Sequence, residues 1–296
     1  MKRKTFLKNL GATMVGGAFG LKTMANMLNE NKTIDNRLPV LFSSHGNPMD
    51  IPVPHYGNPF NTYLGNLGKE LKRKYQIKAV LVVSAHWCTK GSYVNISPAP
   101  KTIYDYYGFP ENYYTIQYPA PGSPTMASEI ARDVKEITAT TDWGFDHGNW
   151  PMLMHLFPEA DIPVFQLSID YHRPAQYHYD LALQLKKYRE KGVLIIGSGA
   201  LVHNLKLAMS KMRSGDAKIY DWQLEFDDWV TNKIDDRDVR ALIDYEKTKL
   251  GRLAAPTPDH YVPVLYSMAL ADGQDQIRHT FDDMLPAFSN RSFIIE

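Results

Sequence analysis

Three short apolar runs, each followed by small polar residues, dominate the pattern of hydrophobic and polar positions along the chain. They are LPVLFSS at Leu38–Ser44, AVLVV at Ala79–Val83 and VLIIGSG at Val193–Gly199. Runs of this length and composition predict strands buried in a parallel sheet. A histidine follows each run closely, namely His45, His86 and His203. Because ligands gather outside the carboxyl ends of parallel strands, the pattern predicts one site shared by these histidines.

Helical patterns separate these strands. Apolar residues at spacings of three and four predict helices at Asn58–Tyr75, Thr125–Ile137 and Pro174–Arg189. A strand at Ile162–Ile169 precedes the last helix, which favours a right-handed β-α-β crossover to Val193–Gly199. Further elements are predicted at Ser92–Ile96, Met152–Phe157, Ile219–Leu250 and Ser292–Ile295. The predicted fold class is α/β, a single three-layer α/β/α domain over residues 37–296 with a central mostly parallel or mixed sheet.

The segment from Pro98 to Pro124 shows no helical period and is long for a loop without secondary structure. It is rich in tyrosine and phenylalanine. Two interpretations stay open at this point. The aromatic rings either wall a pocket for a flat aromatic ligand or pack on the body of the protein as ordinary core.

Composition excludes several classes of protein. Lys+Arg 33 nearly cancels Asp+Glu 32, which argues against a nucleic-acid partner. A single cysteine, Cys88, rules out an intrachain disulfide, a zinc ribbon and a thiol-redox motif. We expect its thiol to be buried.

Residues 1–36 have the pattern of an export signal. Basic residues within Lys2–Lys8 precede the apolar stretch Leu10–Leu21 and a polar exit at Asn29–Asn36. The apolar stretch is too short to span a bilayer. The basic region is similar to a twin-arginine signal in which Lys4 replaces the second arginine. We therefore expect a periplasmic protein, with a cytoplasmic chain carrying a plain N-terminal tail as the alternative.

Ten histidines are the candidate metal ligands of this chain. Pro256–Asp259 is typical of a helix start and predicts a helix to Leu270 with His260 in its first turn. His260 thus joins the three histidines at strand ends as a candidate ligand. His147, in a turn between two tryptophans, is an intermediate case. We interpret the remaining histidines as structural, namely His55, His155, His172, His178 and His279.

Imidazole is a common ligand of zinc and also suits iron, copper and nickel, so these histidines favour a first-row metal. A local signature such as HExxH is absent from the sequence. Three classes of protein fit a site of this kind: a metal-dependent oxidoreductase, a zinc-dependent hydrolase and a metal-storing or metal-sensing protein. The histidines alone do not separate them.

A series of motifs in chain order separates them. They are SHGNPM around His45, VVSAHW around His86, YPAPGSP, WGFDHGNW around His147, IPVFQLSID, GSGALVHNL around His203 and PTPDHYVPVLY around His260. From about Leu38 to the C-terminus, the series resembles the class III extradiol ring-cleavage dioxygenases, and most closely their DOPA 4,5-dioxygenase type.

The resemblance implies one non-haem divalent metal, Fe(II) for turnover or Zn(II) as often bound. It implies His45, His86 and His260 as ligands, and His203 as either a fourth ligand or an acid/base. His147 would orient the substrate or move protons. The wider class uses two histidines and one carboxylate, so a third histidine at His260, beside Asp259, departs from that pattern.

The implied reaction opens the ring of a catechol-type, DOPA-like substrate with dioxygen to give a muconate semialdehyde. The implied partners are this small aromatic diphenol and dioxygen, in a monomer or homodimer. Tyr104 and Tyr118 are candidates for gripping the aromatic ring. A zinc-dependent hydrolase that uses the same histidines is the alternative function.

Overall fold

The apolar runs of the sequence form the central strands of the protein. The structure is a computed structural model that describes residues 37–48 and 57–296. The predicted leader at residues 1–36 and His55 lie outside the described residues. The strands are β1 (Val40–Ser43), β2 (Ala79–Thr89), β3 (Ser92–Asn95), β4 (Ile137–Thr140), β5 (Val164–Asp170), β6 (Val193–Ser198), β7 (Ile277–Phe281), β8 (Met284–Leu285), β9 (Phe288–Ser289) and β10 (Ser292–Ile295).

In the described part of the chain, eight strands form one sheet in the order β4-β3-β5-β2-β6-β1-β10-β7. The four central strands, β5, β2, β6 and β1, are parallel to one another. Antiparallel pairs join β3 to β5, β1 to β10 and β10 to β7. The predicted mixed sheet is confirmed, and the carboxyl ends of its central strands lie at one edge.

The helices cover both faces of the sheet. They are α1 (Pro59–Lys74), α2 (Pro124–Asp133), α3 (Trp150–Leu156), α4 (Ala175–Leu183), α5 (Leu205–Ser214), α6 (Asp221–Asp235), α7 (Val239–Ile243), α8 (Lys249–Ala254) and α9 (Val262–Leu270). Short 3-10 turns lie at Glu111–Tyr114, Lys186–Tyr188 and Tyr245–Lys247. None of the helices in the described ranges is long and apolar enough to cross a membrane.

Alternate residues of β2 enter two separate hydrophobic cores. Leu81 and Val83 pack with side chains of α4, α6 and α9, whereas Val80 and Val82 pack with side chains of α1 and α3. Successive side chains of a strand point to opposite faces, so one apolar strand supplies both cores. Full burial of each such side chain contributes about 1.5–3 kcal/mol. These two cores make the predicted three-layer arrangement.

Helix α1 shows how local sequence sets the boundaries of an element. The Asn58 side chain accepts hydrogen bonds from the backbone N–H groups of Phe60 and Asn61, at 2.8 and 3.1 Å, and caps the helix start. Pro59 occupies the first turn, where its missing N–H costs nothing. The predicted helix Asn58–Tyr75 is confirmed to within its two cap residues.

Several predicted helix ends are wrong. The helix predicted at Thr125–Ile137 ends at Asp133, because the chain turns at Val134 and Ile137 begins β4 beside β3. The helix predicted at Pro174–Arg189 ends at Leu183 and continues as a 3-10 turn. The Ile219–Leu250 region, which was predicted to be helical, forms α6, α7 and a 3-10 turn before α8 begins at Lys249.

His260 is also displaced from its predicted position. The final helix begins at Val262, so His260 lies in the turn that precedes it rather than in its first turn. Pro263 stands at the start of α9, which is the position that proline prefers. Strand β7 was not predicted, because Arg278, His279 and Thr280 interrupt any apolar run.

His178, on α4, is a buried histidine with structural partners. Its Nδ1 lies 3.2 Å from the Tyr266 hydroxyl and its Nε2 lies 3.2 Å from the backbone oxygen of Asp170. Burial lowers the pKa of His178 to about 4, and Arg173 acts in the same direction, although the backbone oxygen and charge of Asp170 oppose the shift. The interpretation of His178 as structural agrees with these contacts.

We expect stability to fall as the pH drops from about 6.5 towards 4, because unfolded His178 binds a proton in this range and the folded residue does not. The stability that depends on this residue is present above pH 6.5, and up to about 3 kcal/mol of it is lost at low pH. In His178→Gln, denaturant unfolding should show a smaller loss between pH 7 and pH 4.5. The exposed His172 provides the control His172→Gln. Equal pH dependence in wild type and His178→Gln would contradict the assignment.

Candidate metal centre

Three histidines from remote parts of the chain meet at one point. The Nε2 atoms of His45 and His86 lie 3.1 Å apart, and those of His86 and His260 lie 3.2 Å apart. Nitrogen ligands about 2.1 Å from one metal ion lie roughly 3.0 to 3.4 Å from each other. If His86 Nε2 carries a hydrogen atom, it can donate it to only one of the other two nitrogen atoms. A hydrogen bond from His86 therefore explains one of the two short distances but not both. The three nitrogen atoms therefore fit a shared cation.

The parallel sheet brings these histidines together. His45 lies two residues after the end of β1, where the Ser44 hydroxyl accepts a hydrogen bond from the Gly46 N–H at 3.0 Å. His260 lies beside the end of β6, where its backbone oxygen accepts from the Ala200 N–H at 2.9 Å. A Cβ at Gly199 would lie 2.2 Å from that oxygen, so glycine permits this close approach.

His86 lies inside β2, which continues past the predicted end at Val83 as far as Thr89. Pairing with β5 is regular up to Val83 and resumes at Cys88, with an irregularity between them. Such irregularities redirect side chains and occur often beside active sites. The irregularity therefore explains why a histidine inside a strand belongs to the site.

The opposite ring nitrogen of each converging histidine has its own polar neighbour. The Nδ1 of His45 lies 3.2 Å from the Ser198 hydroxyl, and the Nδ1 of His86 lies 3.4 Å from Asp105 Oδ2. The Nδ1 of His260 contacts the carboxylate of Asp259. Neighbours of this kind orient metal-binding imidazoles and select the tautomer that leaves Nε2 free for the ion.

Two of the converging histidines, His45 and His86, lie in surroundings that lower the pKa of the ring and favour the neutral form that metal binding requires. Burial lowers the pKa of His45 well below its usual value, and the nearby imidazoles of His260, His147 and His203 add to the decrease. Burial acts in the same way on the pKa of His86, followed by the charge of His147. A protonated imidazole has no lone pair for a metal, so these environments suit a ligand set.

The other two predicted histidines flank this group. The ring centroid of His147 lies 3.6 Å from that of His86. His203 stacks on His260, with ring centroids 3.5 Å apart and planes 3° from parallel. Burial, and then the charge of His260, lower the pKa of His203 to about 3, although Asp259 opposes the shift. His203 lies outside the group of three converging histidines.

Residues 39–289 match the family of the catalytic LigB subunit of aromatic ring-opening dioxygenases. The chain belongs to the LigB family. It is 38% identical over 247 residues to the 4,5-DOPA dioxygenase extradiol of Escherichia coli (strain K12), covering 81% of this chain and 88% of that protein. It is 34% identical over 268 residues to the 4,5-DOPA dioxygenase extradiol of Beta vulgaris, covering 88% of this chain and 97% of that protein.

A solved structure also has this fold. The crystal structure of an uncharacterized protein from Escherichia coli K12 superimposes with a TM-score of 0.74 at 33% identity, covering 88% of this chain and all of that chain. The predicted α/β fold and the predicted family are confirmed. LigB dioxygenases are metal-dependent, so family and geometry agree that this chain is a metal-dependent, extradiol ring-opening dioxygenase.

Asp146 was not predicted as a functional residue, but hydrogen bonds connect it to the metal centre. Its carboxylate is fully buried, and it accepts hydrogen bonds from the Ser84 hydroxyl at 2.6 Å and from the Trp143 indole N–H at 3.0 Å. The Gln166 amide also donates to it. Burial, and then the charge of Asp105, raise the pKa of Asp146 to about 6, against these two donors, Ser84 and Trp143. Ser84 also accepts from the His86 backbone N–H at 3.2 Å, which links Asp146 to the centre.

The aromatic segment is partly core and partly site wall. Tyr118 is buried, and its hydroxyl donates to the backbone oxygen of Phe157 at 3.0 Å. The structure therefore does not bring Tyr118 to the histidines. Tyr104 is half-buried and donates to the backbone oxygen of Ile116 at 2.7 Å, so it also lies among loop residues. Tyr106 is the neighbour that reaches the centre, with its ring edge-on to His147 at 5.7 Å.

Two expectations about other residues have different outcomes. Cys88 is exposed, not buried, because alternate residues of β2 face opposite sides and position 88 lies outside the core. His279 pairs with Asp235 at 2.9 Å on the surface, which agrees with a structural interpretation.

If the three converging nitrogen atoms hold one ion, His45→Ala should lower the affinity for Zn(II) by at least about 100-fold, since it removes a direct ligand. Equilibrium dialysis against a chelator of known affinity measures the change. His172→Ala removes an exposed imidazole and should leave the affinity unchanged. Equal zinc affinity in His45→Ala and wild type would show that these nitrogen atoms do not form the metal site.

Proposed function

We propose that this protein is an Fe(II)-dependent extradiol dioxygenase that opens the ring of a catechol, of the DOPA type, to a muconate semialdehyde. The convergence of the His45, His86 and His260 Nε2 atoms carries the proposal. Family membership supports the ring-opening reaction, and the names of the relatives support the substrate class.

The donor set fits a non-haem metal. His45, His86 and His260 form one group of side chains that could hold a metal ion, and His203, Asp259 and His260 form another. Because Asp259 contacts the Nδ1 of His260 and orients its ring, we take the three imidazoles of the first group as the ligands. Imidazole suits iron and zinc alike. Bound Fe(II) would supply redox chemistry and open coordination positions, whereas Zn(II) has no redox chemistry and is a resting occupant in this proposal.

Two histidines beside the ligands are close enough to the metal site to exchange protons with a substrate bound there. The rings of His147 and His203 contact those of His86 and His260, respectively, but neither residue belongs to the group of three. A neutral imidazole can accept a proton from the second hydroxyl of the diphenol and return it during ring opening. We propose acid/base roles for both residues, and for His203 this role in preference to a fourth ligand.

The substrate lies against the aromatic segment in this proposal. Tyr106, the buried ring that contacts His147, is the nearest aromatic wall on that side of the centre. An aromatic wall favours a flat ring by edge and face contacts, worth about 0.5–1.5 kcal/mol each beyond the area that is buried. Tyr104 stands next to this wall, with its ring edge-on to Tyr106 at 6.2 Å.

Turnover requires iron, a diphenol and dioxygen together if the proposal is right. Protein reconstituted anaerobically with Fe(II) and then given DOPA or catechol in air should consume one dioxygen per product and form a yellow ring-opened semialdehyde. The zinc-loaded protein should form none, since zinc has no redox chemistry. No dioxygen uptake with any diphenol would refute the function, and ester hydrolysis by the zinc form would favour the hydrolase instead.

The same assay separates the two roles of His203. His203→Ala should keep its metal and lose about 100-fold or more in kcat, as expected when a general acid/base is removed. Loss of the metal together with activity would make His203 a ligand.

We also propose export of the folded, metal-loaded enzyme, on the basis of the twin-arginine-like pattern within residues 1–36. Fractionation of the producing cells should find a shortened chain in the periplasm. An uncut chain confined to the cytosol would contradict export and leave the catalytic proposal unaffected.

A further inference from the structure

The carboxylate of Asp105 lies between two histidines of the centre. Its Oδ2 is 2.8 Å from the Nδ1 of His147 and 3.4 Å from the Nδ1 of His86. Its Oδ1 accepts a hydrogen bond from the His147 backbone N–H at 2.8 Å. One side chain therefore contacts the ring and backbone of a proton carrier and the ring of a ligand.

The contact with the His147 ring is close but poorly aligned. The distance of 2.8 Å between His147 Nδ1 and Asp105 Oδ2 is short enough for a hydrogen bond, but the pair lacks the angle of one, so Nδ1 has no hydrogen bond among the described residues. Catalytic hydrogen bonds are often long or misaligned before substrate binds and improve in the reactive complex.

Backbone pairing fixes Asp105 opposite His147. The Phe145 N–H donates to the Lys101 oxygen at 2.8 Å, and the Ile103 N–H donates to the Phe145 oxygen at 2.7 Å. This short parallel contact carries the chain to Asp105 on one side and His147 on the other. A Cβ at Gly144 would lie 2.1 Å from the Lys101 oxygen, so the two segments approach as closely as glycine allows.

Anchoring of the loop does not by itself explain why the carboxylate of Asp105 contacts the rings of His86 and His147. Among the described residues, the ion-pair contacts of Asp105 are to His86 and His147, and no lysine or arginine pairs with it. A surface carboxylate that anchors a loop usually pairs with a basic side chain or caps a turn, whereas this one faces two imidazoles. Its neighbour Tyr106 contacts the same His147 ring from the side.

We propose that Asp105 is a positioning residue for ring opening. It holds the proton of His147 on Nδ1, which leaves Nε2 as the nitrogen that accepts a proton from the substrate, and it steadies the His86 ring through Nδ1. The inference rests on the proposed function, because it assumes that His147 moves a proton.

A double-mutant cycle tests the link between Asp105 and His147 in the iron-loaded enzyme. Asp105→Asn keeps the size of the side chain and should lower kcat about 10- to 100-fold, with KM for the diphenol changed less than about threefold. In a His147→Ala background the same change should cost less than about threefold, since the residue through which Asp105 acts is gone. Glu111→Gln removes an exposed carboxylate of the same segment and should leave kcat unchanged.

A second readout does not depend on turnover. In zinc-loaded protein with ¹⁵N-labelled histidine, the NMR shifts of His147 should show a protonated Nδ1 and a bare Nε2. In Asp105→Asn, the tautomer with the proton on Nε2 should increase. Zinc affinity, measured by dialysis, should fall no more than about 10-fold, since the three ligands remain.

The outcomes distinguish this inference from the proposed function. Absence of ring cleavage in the wild type would refute the function, and the NMR result would still decide whether Asp105 sets the tautomer of His147. A wild-type enzyme that turns over, with Asp105→Asn equally active or equally impaired in both backgrounds, would overturn the inference. Wild-type His147 with its proton on Nε2 would overturn it as well.

Discussion

The meeting of three imidazole nitrogen atoms at one point is the constraint on which the rest of the structure depends. His45 follows one strand, His86 lies inside another, and His260 precedes a helix, so no local segment can hold them together. Strands β2, β6 and β1 are adjacent and parallel, and their carboxyl ends therefore share an edge. The sheet provides the rigid frame that keeps the three Nε2 atoms within the reach of one ion.

Such a centre forces polar groups into the interior, and the protein compensates with hydrogen bonds. A buried polar group costs free energy unless it is paired. The carboxylate of Asp146 is paired with Ser84, Trp143 and Gln166, and Gln166 is in turn paired with Asn149 at 2.8 Å. This network is connected to the histidines through Ser84, whose hydroxyl accepts from the His86 backbone N–H. The hydrogen bonds that offset the cost of burying Asp146 therefore also help to orient the site.

The central strands, the three-layer arrangement and the main histidines could be predicted from the sequence, because apolar runs and helical periods are local signals. His45 and His86 follow from the ends of such runs. Asp105 could not be predicted, because its partner His147 lies 42 residues away and the intervening segment has no period. Tyr118 is indistinguishable in sequence from Tyr106, and both are buried, yet it is Tyr106 that contacts a site histidine. Which of several tyrosines faces a site is decided by tertiary packing.

The glycines around the centre limit the substitutions that the protein can accept there. A Cβ at Gly148 would lie 2.4 Å from the Ser84 hydroxyl and 3.0 Å from the His86 ring, and Gly199 is equally crowded. A larger residue at either position would therefore force its neighbours to shift, whereas a Cβ at Gly108, in the aromatic segment, would contact nothing within 4 Å, although its φ of +83° favours glycine. Selectivity among aromatic substrates can therefore change in this segment, while the sheet keeps the histidines in place.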